Sequence, residues 1–549
     1  MTKTNRFALS LSSGILLGLG WPMYGFSPLL FIALFPLLQL EHNFACNQEK
    51  YKLNSIFGYS YLTFFTWNII STWWVYGASL GGAAMAIFAN ALLMSITFTL
   101  AQAVKRIVFK TELQNEGKTA LKHFVPFLLF WISFEFLHLD WDLTYPWLTL
   151  GNGLSGNPTW IQWYEYTGVF GGTLWILLIN VLLFIYIRNR EYERKLKSKL
   201  AFTIPALLIV PLFFSFLLYS IHQSKTGDKI LQPQKIKVVA VQPNIDPYNE
   251  KFTTSFQDQL EKMLKLGSEK LDSTIDYLVF PETALTEEIW EKGMEKTESI
   301  IRLQEFLKKY PKLVLITGAS TSRFYEKNEK RSATAQKARD VEAYYDNFNT
   351  AIQLDSTNRI QIYHKSKLVP GVERMPFPAL LKPFEKLAIN MGGTIGSLGT
   401  QEERTVFASV SNVRIAPVIC YESIYGEFVS EYVKNGAQAI FIITNDGWWG
   451  DTPGYKQHLA YGSMRAIETR RCIVRSANTG ISCFINERGD IEQATNWWQP
   501  AVIEAAVPLG TDLTFYTQYG DYIARFSLYT SLLLVVYSIL IRFRILKKQ

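Results

Sequence analysis

Cysteine is scarce in this 549-residue chain. Four are present, at 46, 420, 472 and 483, with neither metal-ligand spacing nor the density of a disulfide framework. A zinc site and a cystine-stapled fold are therefore not expected. Charge is thin as well: 19% of residues are charged while 48% are hydrophobic. That balance is too apolar for an ordinary soluble protein and too polar for a pure membrane bundle, so part of the chain is expected in lipid and part in water. No internal repeat stands out. The formal net charge of +8 does not argue for nucleic acid, because the basic residues cluster beside apolar segments, as cytoplasmic membrane flanks do. The length exceeds one compact domain.

Seven apolar stretches precede residue 222, each near the roughly 20 residues that cross a bilayer. They run over 7–21, 24–40, 55–76, 80–104, 122–138, 168–187 and 201–221, and an eighth over 525–541. No small-residue cleavage site follows the first, which reads as an uncleaved anchor. Lysine and arginine are absent near 77–79 and throughout 139–167. They recur at Lys50 and Lys52, at Lys105, Arg106 and Lys110, from Arg188 to Lys199, and after Arg542. This alternation predicts about eight transmembrane helices with both termini in the cytoplasm and residues 222–524 outside. The bare 139–167 loop carries Trp141, Tyr145, Trp147, Trp160, Trp163, Tyr164 and Tyr166. It is either an interfacial belt or a surface that steers a lipid chain. Glu135, near the outer end of the fifth span, is costly in lipid and is expected to face a polar cavity or a partner.

The outside segment has a different texture. Short β-branched runs recur at 236–242, 277–282, 313–319, 349–354, 414–422, 439–446 and 472–485, with amphipathic stretches at 251–270 and 296–310 between them. Strands alternating with helices predict an α/β sandwich. The polar 322–345 stretch reads as a solvated insertion loop.

Three residues follow hydrophobic strands: Glu282 in VFPETAL, Lys365 in YHKSKLVP and Cys420 in VICYES. A thiolate is a strong nucleophile, a carboxylate can take the thiol proton, and a lysine can stabilise both the thiolate and an oxyanion. Acyl transfer needs one of each. On composition alone, a lone cysteine is as readily a buried hydrophobe, and lone Glu and Lys a solvated surface.

The motifs go further. PETAL around Glu282, YHKSKLVPGVERMPF around Lys365, VICYESIYGEF around Cys420, the run from Thr444 to Ser482 and YPWLTLGN at 145–152 together resemble the apolipoprotein N-acyltransferases, a membrane branch of the carbon–nitrogen hydrolase (nitrilase) superfamily. The resemblance spans nearly the whole chain. It implies a membrane α-helical bundle plus an extracytoplasmic α/β nitrilase-like αββα sandwich, divided as a membrane domain over 1–221, a catalytic domain over 222–523 and a final span with its tail over 524–549. It implies Cys420 as the thioester-forming nucleophile, Glu282 as general base and Lys365 as oxyanion holder, with Glu373, Tyr421, Glu422 and Trp448 in support. Lys367 competes for the lysine role, but the motif spacing favours Lys365. Phe252 stands where the family often has tryptophan, and His138 where it has a basic residue.

The implied partners are a glycerophospholipid acyl donor and a diacylglyceryl apolipoprotein acceptor, with no cofactor and no nucleic acid. A monomer in the cell inner membrane is implied, its catalytic domain in the periplasm. Residues 371–395 read as an amphipathic lid or as a helix packed on the sandwich. A tethered amidase of the same superfamily would share the three residues but would have no use for the aromatic loop.

Overall fold

In a computed structural model, all residues are described except 23–24, 116–119, 189–193, 228–233, 252, 340, 378–396 and 547–549. The chain forms two compact units, one of Met1–Trp73, Ala83–Ser220 and Tyr519–Gln549, the other of Trp74–Gly82 and Ile221–Gln518. Phe252 and most of the expected lid, 378–396, lie outside the described residues.

The first unit is helical. Among the described residues, five segments are long and apolar enough to cross a membrane by length and composition: Ser27–Cys46, Leu80–Val108, Tyr164–Arg188, Ser198–Ser224 and Tyr522–Phe543. The other three expected spans are also helices, Lys3–Leu19, Leu53–Thr72 and Val125–Leu137, but two have only 17 and 13 residues. The first and third helices approach closely through small polar residues. A Cβ on Gly14 would lie 2.4 Å from the Thr63 carbonyl, and the Thr63 hydroxyl donates to the Ser10 carbonyl at 2.9 Å. Such contacts suit a lipid setting, where apolar burial gives helices little reason to associate. Glu135 is buried and finds partners: it accepts from the Trp131 indole (2.8 Å), the Leu150 amide (2.8 Å) and the Thr173 hydroxyl (2.7 Å).

The second unit is an αββα sandwich. Its first sheet holds β1 (Lys235–Gln242), β2 (Tyr277–Val279), β3 (Leu285–Trp290), β4 (Val314–Phe324), β5 (Gln336–Lys337), β6 (Tyr344–Asp355) and β7 (Ile360–His364). The second holds β8 (Phe407–Ala408), β9 (Arg414–Ile419), β10 (Ala439–Thr444), β11 (Ile473–Ala477), β12 (Cys483–Ile485) and β13 (Ile491–Glu492). The last strand, β14 (Ala501–Pro508), returns to pair antiparallel with β1. The middle of each sheet is parallel: β1, β2 and β4 in one, and β9, β10 and β11 in the other. These strands are buried on both faces, which is why their sequences are unbroken runs such as AIFIIT. The sheets meet at Tyr277 and Phe441, edge to face at 5.3 Å, and where the Ser476 hydroxyl donates to the Val241 carbonyl.

Helices cover the outer faces. The helix Phe256–Ser268 starts where the Ser255 side chain accepts from the Asp258 amide, and buries Leu260, Met263, Leu264 and Gly267, the one-face spacing of an amphipathic helix. The 322–345 stretch departs from the expected loop. Part of it is strand, because β4 runs on to Phe324 and β5 pairs with Tyr344 and Tyr345 of β6, which satisfies backbone groups a free loop would leave to water.

Candidate active site

β2 delivers Glu282. Three residues past the strand the chain turns sharply, and Thr283 takes a left-handed backbone (φ 48°). Room for that turn comes from Gly318 of β4, where a Cβ would lie 2.4 Å from the Thr283 amide and 2.7 Å from the Glu282 Cα. Any side chain at 318 would push the carboxylate out of place.

β7 delivers Lys365, whose amide donates to the Asn349 carbonyl of β6 at 2.8 Å. β7 is antiparallel to β6, which is antiparallel to β4. The C-terminal end of β7 therefore opens on the same side as that of β2. The buried Lys365 ammonium reaches Glu282 Oε1 at 3.0 Å and Glu373 Oε1 at 2.9 Å. Asn349 spans the same two carboxylates, its amide nitrogen 2.8 Å from Glu282 Oε1 and 3.0 Å from Glu373 Oε1. The Asn445 amide donates to Glu282 Oε2 at 3.1 Å. Burial works against the Glu282 charge, but Lys365 and then Asn349 overcome it and hold the carboxyl below its ordinary range. Burial likewise opposes the Lys365 charge, and Glu282 followed by Glu373 raises this ammonium well above its usual value. The cluster is ionic and stays so.

β9 delivers Cys420. It begins the turn Cys420–Ile424 with φ at 49°, left-handed and rare for a residue with a side chain. Such a conformation costs on the order of 1–3 kcal/mol, and this one persists because its surroundings fix it. The thiol is 8% exposed. Burial, reinforced by Glu282, pushes it well above the ordinary thiol range, while Lys365 pulls the other way. The proton therefore rests on sulfur, beside a carboxylate that is ionised.

Of the supporting residues, Glu373 joins the cluster directly and also accepts from the Val369 amide at 2.8 Å. Glu422 stands apart, buried, accepting from the Tyr363 hydroxyl (2.6 Å) and from the Ser366 and Ile419 amides (2.6 and 2.8 Å). It ties the Cys420 turn to the Lys365 strand end. Tyr421 is buried edge-on to Tyr425 at 5.5 Å. Trp448 is half-buried, edge-on to Tyr248 at 5.4 Å, and the Tyr248 hydroxyl is shared between the Trp448 and Gly77 carbonyls. The Lys367 ammonium lies 5.2 Å from the centre of the Tyr425 ring, whereas it is Lys365 that holds Glu282 and Glu373.

Sequence reasoning passed over Asn349, Asn445 and Lys251. Lys251 is buried and lines a small cavity together with Glu282 and Asn478. Burial lowers its ammonium to about 8, with Glu282 opposing. Asn349 opens the expected strand NTAIQL, and nothing in that run marks its side chain as a bridge. Asn445 contributes only a backbone amide, which no side-chain motif can reveal.

Residues 237–511 match the model of the carbon–nitrogen hydrolase family, and residues 13–182 that of the apolipoprotein N-acyltransferase N-terminal domain. Over 525 residues the chain is 30% identical to the apolipoprotein N-acyltransferase of Chlorobaculum tepidum, covering 94% of this chain and 93% of the relative. The chain belongs to the apolipoprotein N-acyltransferase family. Other apolipoprotein N-acyltransferases align over similar lengths. That of Geobacter metallireducens is 28% identical over 94% of this chain and 92% of its own, and that of Thermotoga maritima 26% identical over 97% and 93%. The nitrilase-like fold and the helical N-terminal region are thus common to the apolipoprotein N-acyltransferases and this chain.

Proposed function

We propose that the protein transfers an acyl chain from a membrane glycerophospholipid, through a thioester on Cys420, to the α-amino group of the diacylglyceryl-cysteine that begins an apolipoprotein. The observation that carries this reading is the ionic cluster of Glu282, Lys365 and Glu373 at strand ends beside a buried Cys420, in a chain of this family. Glu282 takes the thiol proton as sulfur attacks the ester carbonyl, and Lys365 neutralises the developing oxyanion. Collapse of the tetrahedral intermediate breaks the ester C–O bond. The proton on Glu282 goes to the departing alkoxide, releasing a lysophospholipid and leaving the thioester. The acceptor amine then attacks the thioester, its proton passes by way of Glu282 to the leaving thiolate, and the triacylated product departs. A thioester in a wet cleft hydrolyses, and the burial of Cys420 favours transfer over hydrolysis.

Mass spectrometry after incubation with acyl-labelled phosphatidylethanolamine vesicles tests this directly. The expected result is a labelled adduct on the Cys420 peptide that disappears when a diacylglyceryl lipopeptide is added. Release of free fatty acid with no adduct and no transfer would point to a hydrolase instead.

The Lys/Arg asymmetry of the loops supports a catalytic unit on the periplasmic side of the inner membrane. A reporter active only outside the cytoplasm is expected to work when fused near residue 230 or 515 and to fail near 112 or 195. The opposite pattern overturns the orientation.

A further inference from the structure

Behind Cys420 lies a buried polar chain that the proposed reaction does not use. His458, on the helix Pro453–Thr469, is fully buried. Its Nε2 lies 3.1 Å from the Cys420 carbonyl oxygen and 2.9 Å from the Ser423 hydroxyl. Its Nδ1 lies 3.0 Å from Asp446 Oδ1. Asp446 is anchored in turn, accepting from Arg475 Nη2 at 2.5 Å and from the Thr444 hydroxyl at 2.9 Å. The charged and titratable groups packed against the ring are Asp446 from the turn Asp446–Trp449, Arg475 from β11 and Cys420 itself, and the Trp449 ring stands edge-on at 5.6 Å.

Donors and acceptors decide the protons. A carbonyl oxygen only accepts, and an ionised carboxylate only accepts. Asp446 is ionised: burial opposes its charge, but Arg475 and then His458 hold it well below the ordinary carboxylate range. The Cys420 carbonyl therefore takes a hydrogen from Nε2. Nδ1 faces the Asp446 carboxylate and also, at 3.2 Å, the Arg475 Nη2 donor, from which it accepts while Nε2 donates. The Ser423 hydroxyl donates to the same carbonyl at 2.8 Å, so two side chains hold this oxygen.

We infer that His458 is a positioning residue whose Nε2 hydrogen clamps the carbonyl of Cys420 and so holds the nucleophile in its left-handed backbone. This deepens the reading of Cys420 as the nucleophile and rests on it. The clamp acts through the backbone, so it governs where sulfur points rather than how lipid binds.

The test is the rate of carboxymethylation of Cys420 by iodoacetamide in the full-length protein in bilayers, from pH 6 to 9, followed on the Cys420 peptide. His458→Leu removes the donor, and His458→Gln keeps one toward the carbonyl. Because a nucleophile displaced by about 1 Å can lose roughly 10²-fold in rate, His458→Leu is expected to react about 10²-fold more slowly. His458→Gln should recover most of that loss. In phospholipid turnover the defect of His458→Leu should fall on kcat and leave KM unchanged. Thermal unfolding of both variants guards against a leucine variant that does not fold. A folded His458→Leu protein that is alkylated at the wild-type rate overturns the inference, and so does a His458→Gln protein no faster than His458→Leu. A wild-type Cys420 that is neither alkylated nor acylated overturns the reading of the nucleophile instead.

Discussion

Cys420→Ala is expected to abolish lipoprotein N-acylation, while Cys46→Ala, Cys472→Ala and Cys483→Ala retain most of it. All four thiols are free, so no variant breaks a disulfide. Burial does not single out Cys420. It raises Cys472 as well, with Glu487 reinforcing it, and pushes Cys483 up to about 12. The difference lies in what stands beside the sulfur. Cys420 feels a base in Glu282 and a cation in Lys365. The Cys472 thiol faces the carboxylate of Glu487, whose charge opposes a thiolate. Cys46 lies against the His42 ring, near the buried Glu41–Lys105 pair. Removing a sulfur from a packed site costs about 1 kcal/mol or less per methylene-sized gap, enough to lower stability slightly and not enough to end activity. The measurement is triacylation of a lipopeptide by each variant at equal protein. Substantial product from Cys420→Ala sinks the covalent mechanism, and a dead Cys472→Ala or Cys483→Ala with unchanged thermal unfolding sinks the assignment of the nucleophile.

How much of this could be read from the residues depends on range. The β-branched runs declared their strands because a strand buried on both faces is apolar without interruption. Cys420, Glu282 and Lys365 stood out because a reactive group after such a run breaks its pattern. Pairing order was hidden. β14 lies beside β1 although more than 250 residues separate partners such as Gln242 and Ala501, and no local pattern encodes that. Asn349 was hidden for the same reason: it meets Glu282 across 67 residues. The 322–345 stretch was misjudged because its charges looked like solvated loop, whereas Arg323 pairs with Glu329 and Arg331 covers the Tyr344 ring, so the same charges brace a hairpin. Two of the eight expected spans are short helices, of 17 and 13 residues, so apolar character showed where they lie and not how far they reach. The tie from His458 to the Cys420 carbonyl lay within a motif already noted, but only the fold turns a histidine 38 residues downstream toward the nucleophile.

Glu282→Gln and Lys365→Ala are expected to fail at different steps. Glu282 is ionised and the Cys420 thiol is held above its ordinary value by burial and by that carboxylate. Sulfur can attack only as the proton leaves, and a protonated thiol, with an ordinary pKa near 8.5, is a poor nucleophile even in water. A glutamine at 282 keeps the size and an acceptor for Lys365 but cannot take the proton, so no acyl-enzyme should form. Lys365 serves both half-reactions, since each passes through a tetrahedral oxyanion. Losing one such donor costs roughly 10²–10³ in rate, and Lys365→Ala should slow acylation and transfer alike by that factor. It also leaves Glu282 and Glu373 facing each other without their shared cation. Breaking a buried ion pair by removing one partner costs roughly 3–5 kcal/mol, so thermal unfolding of this variant should be measured beside its rates. Lys367→Ala should stay within a few-fold of wild type, because Lys365 is the lysine bonded to Glu282 and Glu373 while the Lys367 ammonium packs on Tyr425. The measurement is single-turnover acylation of Cys420 followed by transfer to a lipopeptide amine. A dead Lys367→Ala with an active Lys365→Ala reverses the lysine assignment. A Glu282→Gln enzyme that acylates normally and cannot transfer makes Glu282 the base for the amine rather than for the thiol.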